Sequence, residues 1–370
     1  MKRHLVMLKA IVIVPLIMQG LSDAQGIYSR LVTSGMEQLK KSDYAGAIEY
    51  FETAVKENDK DPWAHLGLGI AYYHIREDGL ADRELRRAAG LNPEDPTAYR
   101  MLGELAYRRD DPEAALSYWE KAVQLDPSDG LLKARLDRIR REHLTEKDFN
   151  RDVTSHFLVK YEGREKIEAG RIVLRILEEA YGEIGRALSF YPRFEIQVIL
   201  YSDKQFQEVT DAPGWSGGIY DGKIRIPIAG IEMETPGLRR LLYHEYTHAV
   251  VRAITHTAPT WLNEGLAQYF EGREISHGQL EILKRLSQAG SLPPLKQIEG
   301  SFMGYSGNRA GVAYALSLYA VRYMIERYGL YRVAAVLEEL GKGVDASTAL
   351  ERGILVSYEE LDAGWRGSLE

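Results

Sequence analysis

The sequence predicts a multidomain protein in which an all-α helical-repeat solenoid is followed by an α+β domain. Residues 28–127 repeat with a period of 34, whereas near residue 150 the pattern changes to alternating apolar and polar positions. The length of 370 residues also favours two folded units, at roughly 100–200 residues per domain.

Composition restricts the classes of function. The chain has 45% hydrophobic and 27% charged residues, as a globular protein does, and its net charge is −7. An acidic chain lacks the basic footprint of nucleic-acid binding, so we expect no nucleic-acid partner. Because there is no cysteine, disulfides and thiolate metal sites are excluded, and any metal must be bound by His, Asp or Glu.

Residues 1–24 have the layout of a secretory signal. A short basic start precedes the apolar run Leu5–Met18, and Ser22 and Ala24 supply the small residues before a cleavage site. We therefore expect export, to the periplasm or beyond the cell. The alternatives are an uncleaved membrane anchor and a buried N-terminal helix, because Lys9 interrupts a run that is already short.

The repeats are defined by small and large residues that recur every 34 positions. The recurring sets are Gly35, Gly69 and Gly103; Ala47, Ala81 and Ala115; Ala54, Ala88 and Ala122; Phe51, Leu85 and Trp119; Pro62 and Pro96; and Pro93 and Pro127. Small residues let two helices approach closely, a large residue fills the space between them, and prolines end the second helix. This register resembles the tetratricopeptide repeat, a helix–turn–helix unit.

The resemblance implies three repeats and a capping helix over residues 28–142. The cap is predicted from Leu132, Leu136 and Ile139, which form one apolar stripe on an otherwise charged segment. Such an array either binds a protein partner or substrate protein on its concave surface, or is a rigid spacer that orients the second domain.

Residues 150–370 are predicted to begin with strands and to continue with helices. Phe157, Val159 and Tyr161 recur at every second position, which predicts a half-buried strand, and Ile196–Tyr201 is a second apolar run. Between them, a helix carries an apolar stripe that includes Val173 and Ile184.

A hairpin is predicted over Gly217–Pro227, with its turn at Asp221-Gly222. Pro227 cannot donate to a ladder, so Lys223–Ile226 is predicted to be an edge strand. An extended substrate could add to that edge by β-augmentation; otherwise it is an ordinary edge strand.

A metal-binding pattern follows on a helix predicted to begin after Thr235. Residues 244–248 read His-Glu-Tyr-Thr-His. His244 and His248 therefore lie one turn apart on one face and can bind one ion at about 2.0–2.1 Å. Glu245 can accept a proton from a metal-activated water. For this motif alone, two surface histidines beside a salt-bridging glutamate are the alternative.

A second segment offers a third ligand. Residues 261–267 read Trp-Leu-Asn-Glu-Gly-Leu-Ala, in a helix opened by Pro259 and Thr260. If Leu262 and Leu266 face the core, Glu264 faces the histidines. Three protein ligands and an open position for water are what a catalytic zinc ion requires.

Together the two motifs resemble the gluzincin superfamily of metallopeptidases, in particular bacterial peptidase MA-like domains. Ala313–Ser317 is similar to the C-terminal helix of those domains, so the resemblance covers about residues 150–370. It implies a zinc metallopeptidase with Glu245 as general base and acid. The zinc ligands that it implies are His244, His248 and Glu264.

Two further expectations follow from the resemblance. Relatives stabilise the oxyanion with a Tyr or His from the C-terminal helical half, which makes Tyr314 the candidate here, unless it is a core tyrosine; Tyr305 is a weaker candidate. Aminopeptidases of the superfamily carry a Gly-x-Met-Glu-Asn strand, but the corresponding residues 217–222 read Gly-Gly-Ile-Tyr-Asp-Gly. We therefore expect an endopeptidase that acts on a peptide or protein substrate.

Other interpretations are open at this point. The chain could be a catalytically silent exported scaffold that uses its repeats for protein–protein interaction, or a zinc hydrolase of a non-peptide bond. Asn263 and Glu271 either support the metal ligands from behind or are surface residues. Residues 289–312, which are rich in Gly, Ser and Pro, are expected to form a lid.

Overall fold

The computed structural model describes residues 30–163, 166–210, 217–228 and 233–369. The chain divides into two compact units, with the division between Lys147 and Asp148. The predicted signal at residues 1–24 lies outside the described residues. Among the helices that the structure describes, none has the length and apolar character that crossing a membrane requires.

The N-terminal unit is helical throughout its described residues. Its helices are α1 (Arg30–Lys40), α2 (Tyr44–Glu57), α3 (Pro62–His74), α4 (Asp78–Leu91), α5 (Pro96–Arg108), α6 (Pro112–Leu125) and α7 (Gly130–Glu146). Helices α1 to α6 pack as three consecutive pairs. Helix α7, the predicted capping helix, packs against α6. Aspartate side chains cap several of these helices; Asp61 and Asp95, for example, accept backbone N–H groups at the starts of α3 and α5.

Each repeat glycine lies against the large residue predicted to fill its space. A Cβ atom on Gly35 would lie 2.7 Å from the Phe51 ring, and one on Gly103 would lie 2.4 Å from Trp119 Nε1. Gly69 has the same relation to Leu85. The predicted packing of a small residue on one helix against a large residue on its partner helix is therefore confirmed.

The C-terminal unit contains a five-stranded sheet in the order β1-β2-β3-β5-β4. The strands are β1 (Asn150–Val153), β2 (Phe157–Tyr161), β3 (Ile196–Tyr201), β4 (Ile219–Tyr220) and β5 (Ile224–Pro227). The β2/β3 and β3/β5 pairs are parallel, whereas the β1/β2 and β4/β5 pairs are antiparallel. The predicted strands Phe157–Tyr161 and Ile196–Tyr201 and the predicted hairpin are confirmed, but β2 is buried at every position rather than on one face only.

The predicted edge strand is wrong. Lys223–Ile226 overlaps β5, which lies inside the sheet because it pairs with β3 on one side and with β4 on the other. Pro227 is tolerated because it is the last residue of the strand and faces Tyr201 only. The edge on this side of the sheet is β4, and β4 also packs against the helix that carries the metal-binding motif.

Helices make up the rest of the C-terminal unit. They are α8 (Ile167–Leu188), α9 (Asp203–Thr210), α10 (Pro236–Ile254), α11 (Thr260–Phe270), α12 (His277–Gln288), α13 (Gly307–Tyr328), α14 (Leu330–Gly341), α15 (Ala346–Gly353) and α16 (Tyr358–Gly367). The predicted stripe of α8, from Val173 to Ile184, is buried in the core that it shares with the sheet and with α10 to α16. This core fixes α10, α11 and α13, which carry the candidate site.

Candidate metal centre

Helix α10 presents both histidines because its sequence fixes where it begins and which face is buried. The Thr235 hydroxyl accepts the Leu238 N–H at 3.1 Å, and Pro236 is the first helical residue. Leu242 and Tyr246 are fully buried. The opposite face therefore carries His244 and His248, which are only partly buried.

Helix α11 brings Glu264 to the same place. It begins after Pro259, and its N-terminal Thr260 donates its N–H to the Glu299 carbonyl at 2.9 Å. Leu262 and Leu266 are buried, as expected, so Glu264 lies on the less buried face.

The three side chains form a triangle of the size that one metal ion requires. His244 Nε2 and His248 Nε2 are 3.1 Å apart, and Glu264 Oε2 lies 3.7 Å and 3.8 Å from them. A point equidistant from these atoms lies about 2.1 Å from each, which matches zinc–nitrogen and zinc–oxygen distances. Within the described parts of the chain, no other three His, Asp or Glu side chains are close enough to share an ion.

The far nitrogen of each imidazole faces an oxygen acceptor. His248 Nδ1 donates to Asn263 Oδ1 at 3.0 Å, and His244 Nδ1 lies 3.0 Å from Glu271 Oε2. When Nδ1 carries the proton, the Nε2 lone pair is free to bind a cation. The donor set therefore fits a zinc ion.

The charge around His244 agrees with a cation site. Burial lowers the pKa of His244, but contact with Glu271 and the negative charges of Glu245, Glu264 and Glu271 outweigh burial, so the net shift is upward. The imidazole thus lies among carboxylates that attract positive charge.

Glu245 is buried beside the three possible ligands but does not belong to the group that could share an ion. The residue is 5% exposed, and its side chain has no hydrogen-bond partner among the described residues. Burial raises its pKa, the neighbouring histidines lower it, and the charges of Glu264 and Glu271 add to the increase. A raised pKa makes a carboxylate a stronger base, so the group accepts a proton more readily than an exposed glutamate does.

Tyr314 is close enough to the site for the charges of Glu264 and Glu245 to act on its hydroxyl. It is partly buried on α13, and burial together with the charges of Glu264 and Glu245 raises the pKa of its hydroxyl. The hydroxyl is therefore a neutral donor at ordinary pH. Tyr305 is partly buried as well: its ring stacks on Phe302, which also contacts the ring of Tyr314, and it lies 3.9 Å from the Arg309 guanidinium.

Gln268 links the two helices that carry Glu264 and Tyr314, and the sequence analysis did not identify it. Its buried amide donates to the Glu264 carbonyl at 3.1 Å and to the Tyr314 carbonyl at 3.0 Å. The available signal was its position four residues after Glu264, one turn further along the same side of α11.

The expected lid over residues 289–312 is wrong for residues 292–302. Leu292, Leu295 and Ile298 are buried in the core, and the Leu295 N–H donates to Asp362 on α16 at 3.3 Å. Arg366 donates to the Leu292 and Pro293 carbonyls at 3.0 Å. Apolar residues spaced along this Gly- and Pro-containing segment anchor it to the last helix.

Comparison with known families agrees with both units. The Peptidase MA superfamily model matches residues 190–370, and tetratricopeptide repeat models match residues 38–105 and 96–129. The chain therefore carries a Peptidase MA superfamily domain preceded by tetratricopeptide repeats. This succession confirms the predicted fold class.

Similar curated proteins cover only part of the chain. The small glutamine-rich tetratricopeptide repeat-containing protein 2 of Mycosarcoma maydis is 26% identical over 107 residues, 29% of this chain and 30% of that protein. BBSome complex member BBS4 of Bos taurus is 33% identical over 84 residues, 23% of this chain and 16% of that protein. The chain thus spans less than a third of the length of these relatives.

Solved structures with weak similarity are tetratricopeptide repeat domains. The first such domain of Spaghetti (RPAP3) bound to an HSP90 peptide gives a TM-score of 0.30 at 20% identity, over 31% of this chain and 90% of that chain. The first such domain of human RPAP3 gives the same TM-score and identity, over 32% of this chain and 92% of that chain.

Proposed function

We propose that the C-terminal unit is a zinc-dependent endopeptidase. The observation that carries the proposal is the triangle of His244 Nε2, His248 Nε2 and Glu264 Oε2, whose sides of 3.1–3.8 Å fit one ion. The match of residues 190–370 to the Peptidase MA superfamily supports it.

The chemistry divides between the ion and the chain. When bound, zinc supplies a Lewis acid for the scissile carbonyl and makes water more acidic. Glu245 takes the proton of the attacking water and then delivers it to the amine nitrogen that leaves. Its burial and raised pKa suit both steps.

Tyr314 is the proposed donor to the oxygen that becomes negative during attack. Its neutral hydroxyl lies within the field of Glu245 and Glu264, and Gln268 fixes its helix relative to Glu264. A donor held in place before the reaction stabilises developing charge without reorganisation.

We further propose that the repeats hold a protein partner or substrate and that the protein works outside the cytoplasm. Stacked helix pairs provide an extended surface for a polypeptide, which supports the first point. The signal-like residues 1–24 support the second, and fractionation of cells that express the whole chain tests it.

The test of the proposed function combines metal content and hydrolysis. Purified wild type is compared with His248→Ala, Glu264→Ala and Glu245→Gln, and casein cleavage is followed in the same samples. His277→Ala is the matched control, because His277 is exposed at the start of α12. We expect one zinc per chain in wild type, Glu245→Gln and the control, and loss of zinc in the two ligand variants.

Hydrolysis should disappear in Glu245→Gln although its zinc remains. Wild type that binds no zinc from a supplied solution would refute the metal site. Zinc binding without cleavage of casein or of other unfolded proteins would refute the endopeptidase and favour a scaffold.

A further inference from the structure

Arg309 is an exposed cation in the first turn of α13, the helix that carries Tyr314. In the parts of the chain that the structure describes, no carboxylate forms an ion pair with it. Other arginines of the same unit are paired: Arg175, Arg239 and Arg352 each lie within 3.1 Å of a glutamate oxygen. The charge of Arg309 is therefore not neutralised within the described chain.

The Arg309 guanidinium is held against an aromatic ring. Its Cζ atom lies 3.9 Å from the centre of the Tyr305 ring, which is contact distance for a cation over an aromatic face. Tyr305 in turn stacks on Phe302, which is 5% exposed. A guanidinium placed in this way keeps N–H groups at its edge, so it can still donate to a carboxylate.

Phe302 connects this stack of rings to the candidate site. Its ring meets the Tyr314 ring edge to face, with 5.4 Å between the centroids, and the charges of Glu264 and Glu245 act on the Tyr314 hydroxyl. Arg309 precedes Tyr314 by five residues of one helix, which is about 7–8 Å along its axis. An extended polypeptide advances about 3.3 Å per residue, so a side chain two or three residues from a bond held at the site comes level with Arg309.

The chain around Arg309 leaves its charge accessible. Residues 306–309 are exposed, and so is Gly311. A Cβ atom added to Gly304, Gly307 or Gly311 would meet no atom within 4 Å. The space beside the stacked guanidinium is therefore open to a polypeptide.

We propose that Arg309 is a specificity-determining residue that binds an acidic side chain of the substrate, two or three residues from the bond that is cleaved. Tyr305 is the platform that holds its guanidinium. A planar guanidinium suits a carboxylate, because the two can form a pair of parallel hydrogen bonds. The inference rests on the proposed endopeptidase and adds a substrate class, polypeptides with Asp or Glu near the cleaved bond.

The experiment begins with the purified full chain and casein, whose cleaved bonds are located by mass spectrometry. For the preferred bonds, two peptides are made that differ only in Glu or Gln two or three residues from the cleaved bond. Both peptides are blocked at their ends, so no terminal carboxylate takes part. The ratio of kcat/KM for the two peptides is measured for wild type, Arg309→Ala, Arg309→Lys and Arg309→Glu.

The matched control is Arg327→Ala. Arg327 is exposed in the last turn of the same helix, about 27 Å from Arg309 along the axis. Zinc content is measured in every sample, so that a change in the ratio is not confused with loss of the metal.

We expect wild type to prefer the Glu peptide by about 5–10-fold, as a charge-assisted contact at a partly exposed position would give. The preference should disappear in Arg309→Ala and reverse in Arg309→Glu, because like charges repel. Arg309→Lys should keep part of it, since the ammonium retains the charge but not the planar geometry. Arg327→Ala should behave as wild type does.

The outcomes separate the two proposals. If casein is cleaved but wild type has no preference for Glu, or if the preference persists in Arg309→Ala, the role of Arg309 is overturned and the endopeptidase stands. Zinc-loaded wild type that cleaves no unfolded protein overturns both. If Arg309→Ala does not fold, Arg309→Glu decides, since it keeps a long polar side chain, and a preference equal to that of wild type refutes the inference.

Discussion

The substitution Gly265→Ala tests how closely α11 and α13 must approach. A Cβ atom at residue 265 would lie 2.4 Å from the Ser317 carbonyl oxygen and 2.5 Å from Val321 Cγ2. Non-bonded atoms attract at roughly 3.5 Å, so the two helices must separate by on the order of 1 Å. The nearest obstacle is backbone and cannot move aside as a side chain could.

This displacement determines how much stability the Gly265→Ala variant loses. Overpacking costs about 1–3 kcal/mol, and a 1 Å separation breaks the 3.0 Å hydrogen bond from Gln268 to the Tyr314 carbonyl, at ~1 kcal/mol. Replacing a helical glycine by alanine stabilises the helix itself by ~1 kcal/mol. The net loss of about 2 kcal/mol should lower the melting temperature of the C-terminal unit by about 4–8 °C.

Far-UV circular dichroism on heating measures this loss, and casein hydrolysis measures its effect on the site. Glu264 and Tyr314 lie on the two helices that separate, so we expect turnover to fall by up to about 100-fold. Gly311→Ala is the control, because Gly311 lies on α13 with no atom near the added Cβ. Equal stability and activity in Gly265→Ala and wild type would refute the argument.

Three further predictions concern other parts of the chain. Trp119→Ala removes a fully buried side chain and should destabilise the N-terminal unit by about 3–5 kcal/mol in urea unfolding; a loss below about 1 kcal/mol would contradict the packing of the repeat. Asp345→Ala should cost about 1 kcal/mol at pH 7, because Asp345 caps α15 by accepting the Thr348 N–H. That hydrogen bond lowers the pKa of Asp345. The stability that Asp345 contributes is therefore fully present above the ordinary pKa of an aspartate and is lost as the pH falls through the lowered pKa. If wild type and Asp345→Ala still differ in stability in acid, this explanation is excluded. Zinc at about 100 times its Kd should raise the free energy of unfolding of wild type by about 2.7 kcal/mol. The same zinc concentration should leave the free energy of unfolding of Glu264→Ala unchanged.

Local patterns predicted the parts of the fold that depend on neighbours in sequence. The period of 34 located the helix pairs, and Thr235 with Pro236 located the start of α10. The spacing of His244 and His248 needed only the helix repeat to bring both rings to one face. These features follow from backbone geometry within a few residues.

Features that depend on distant partners were missed or wrong. The strand Asn150–Val153 is polar and mostly exposed, so no alternation marks it; it exists because it pairs with β2. Lys223–Ile226 was placed at an edge because the sequence does not contain the strand order, which puts β5 between β3 and β4. The sequence left two interpretations of Glu271 open, because its contact with His244 depends on how α11 packs against α10.

The repeat contacts have a consequence for how the array can change length. Gly35 and Phe51, Gly69 and Leu85, and Gly103 and Trp119 are each separated by the same sixteen positions, and each pair lies inside one 34-residue repeat. A duplication or deletion of a whole repeat therefore moves both members of a contact together. Recombination in steps of 34 residues can therefore lengthen or shorten the array without disturbing the packing of the helix pair inside each repeat. A recombination point between the glycine and its large partner would instead leave the large side chain without the glycine against which it packs.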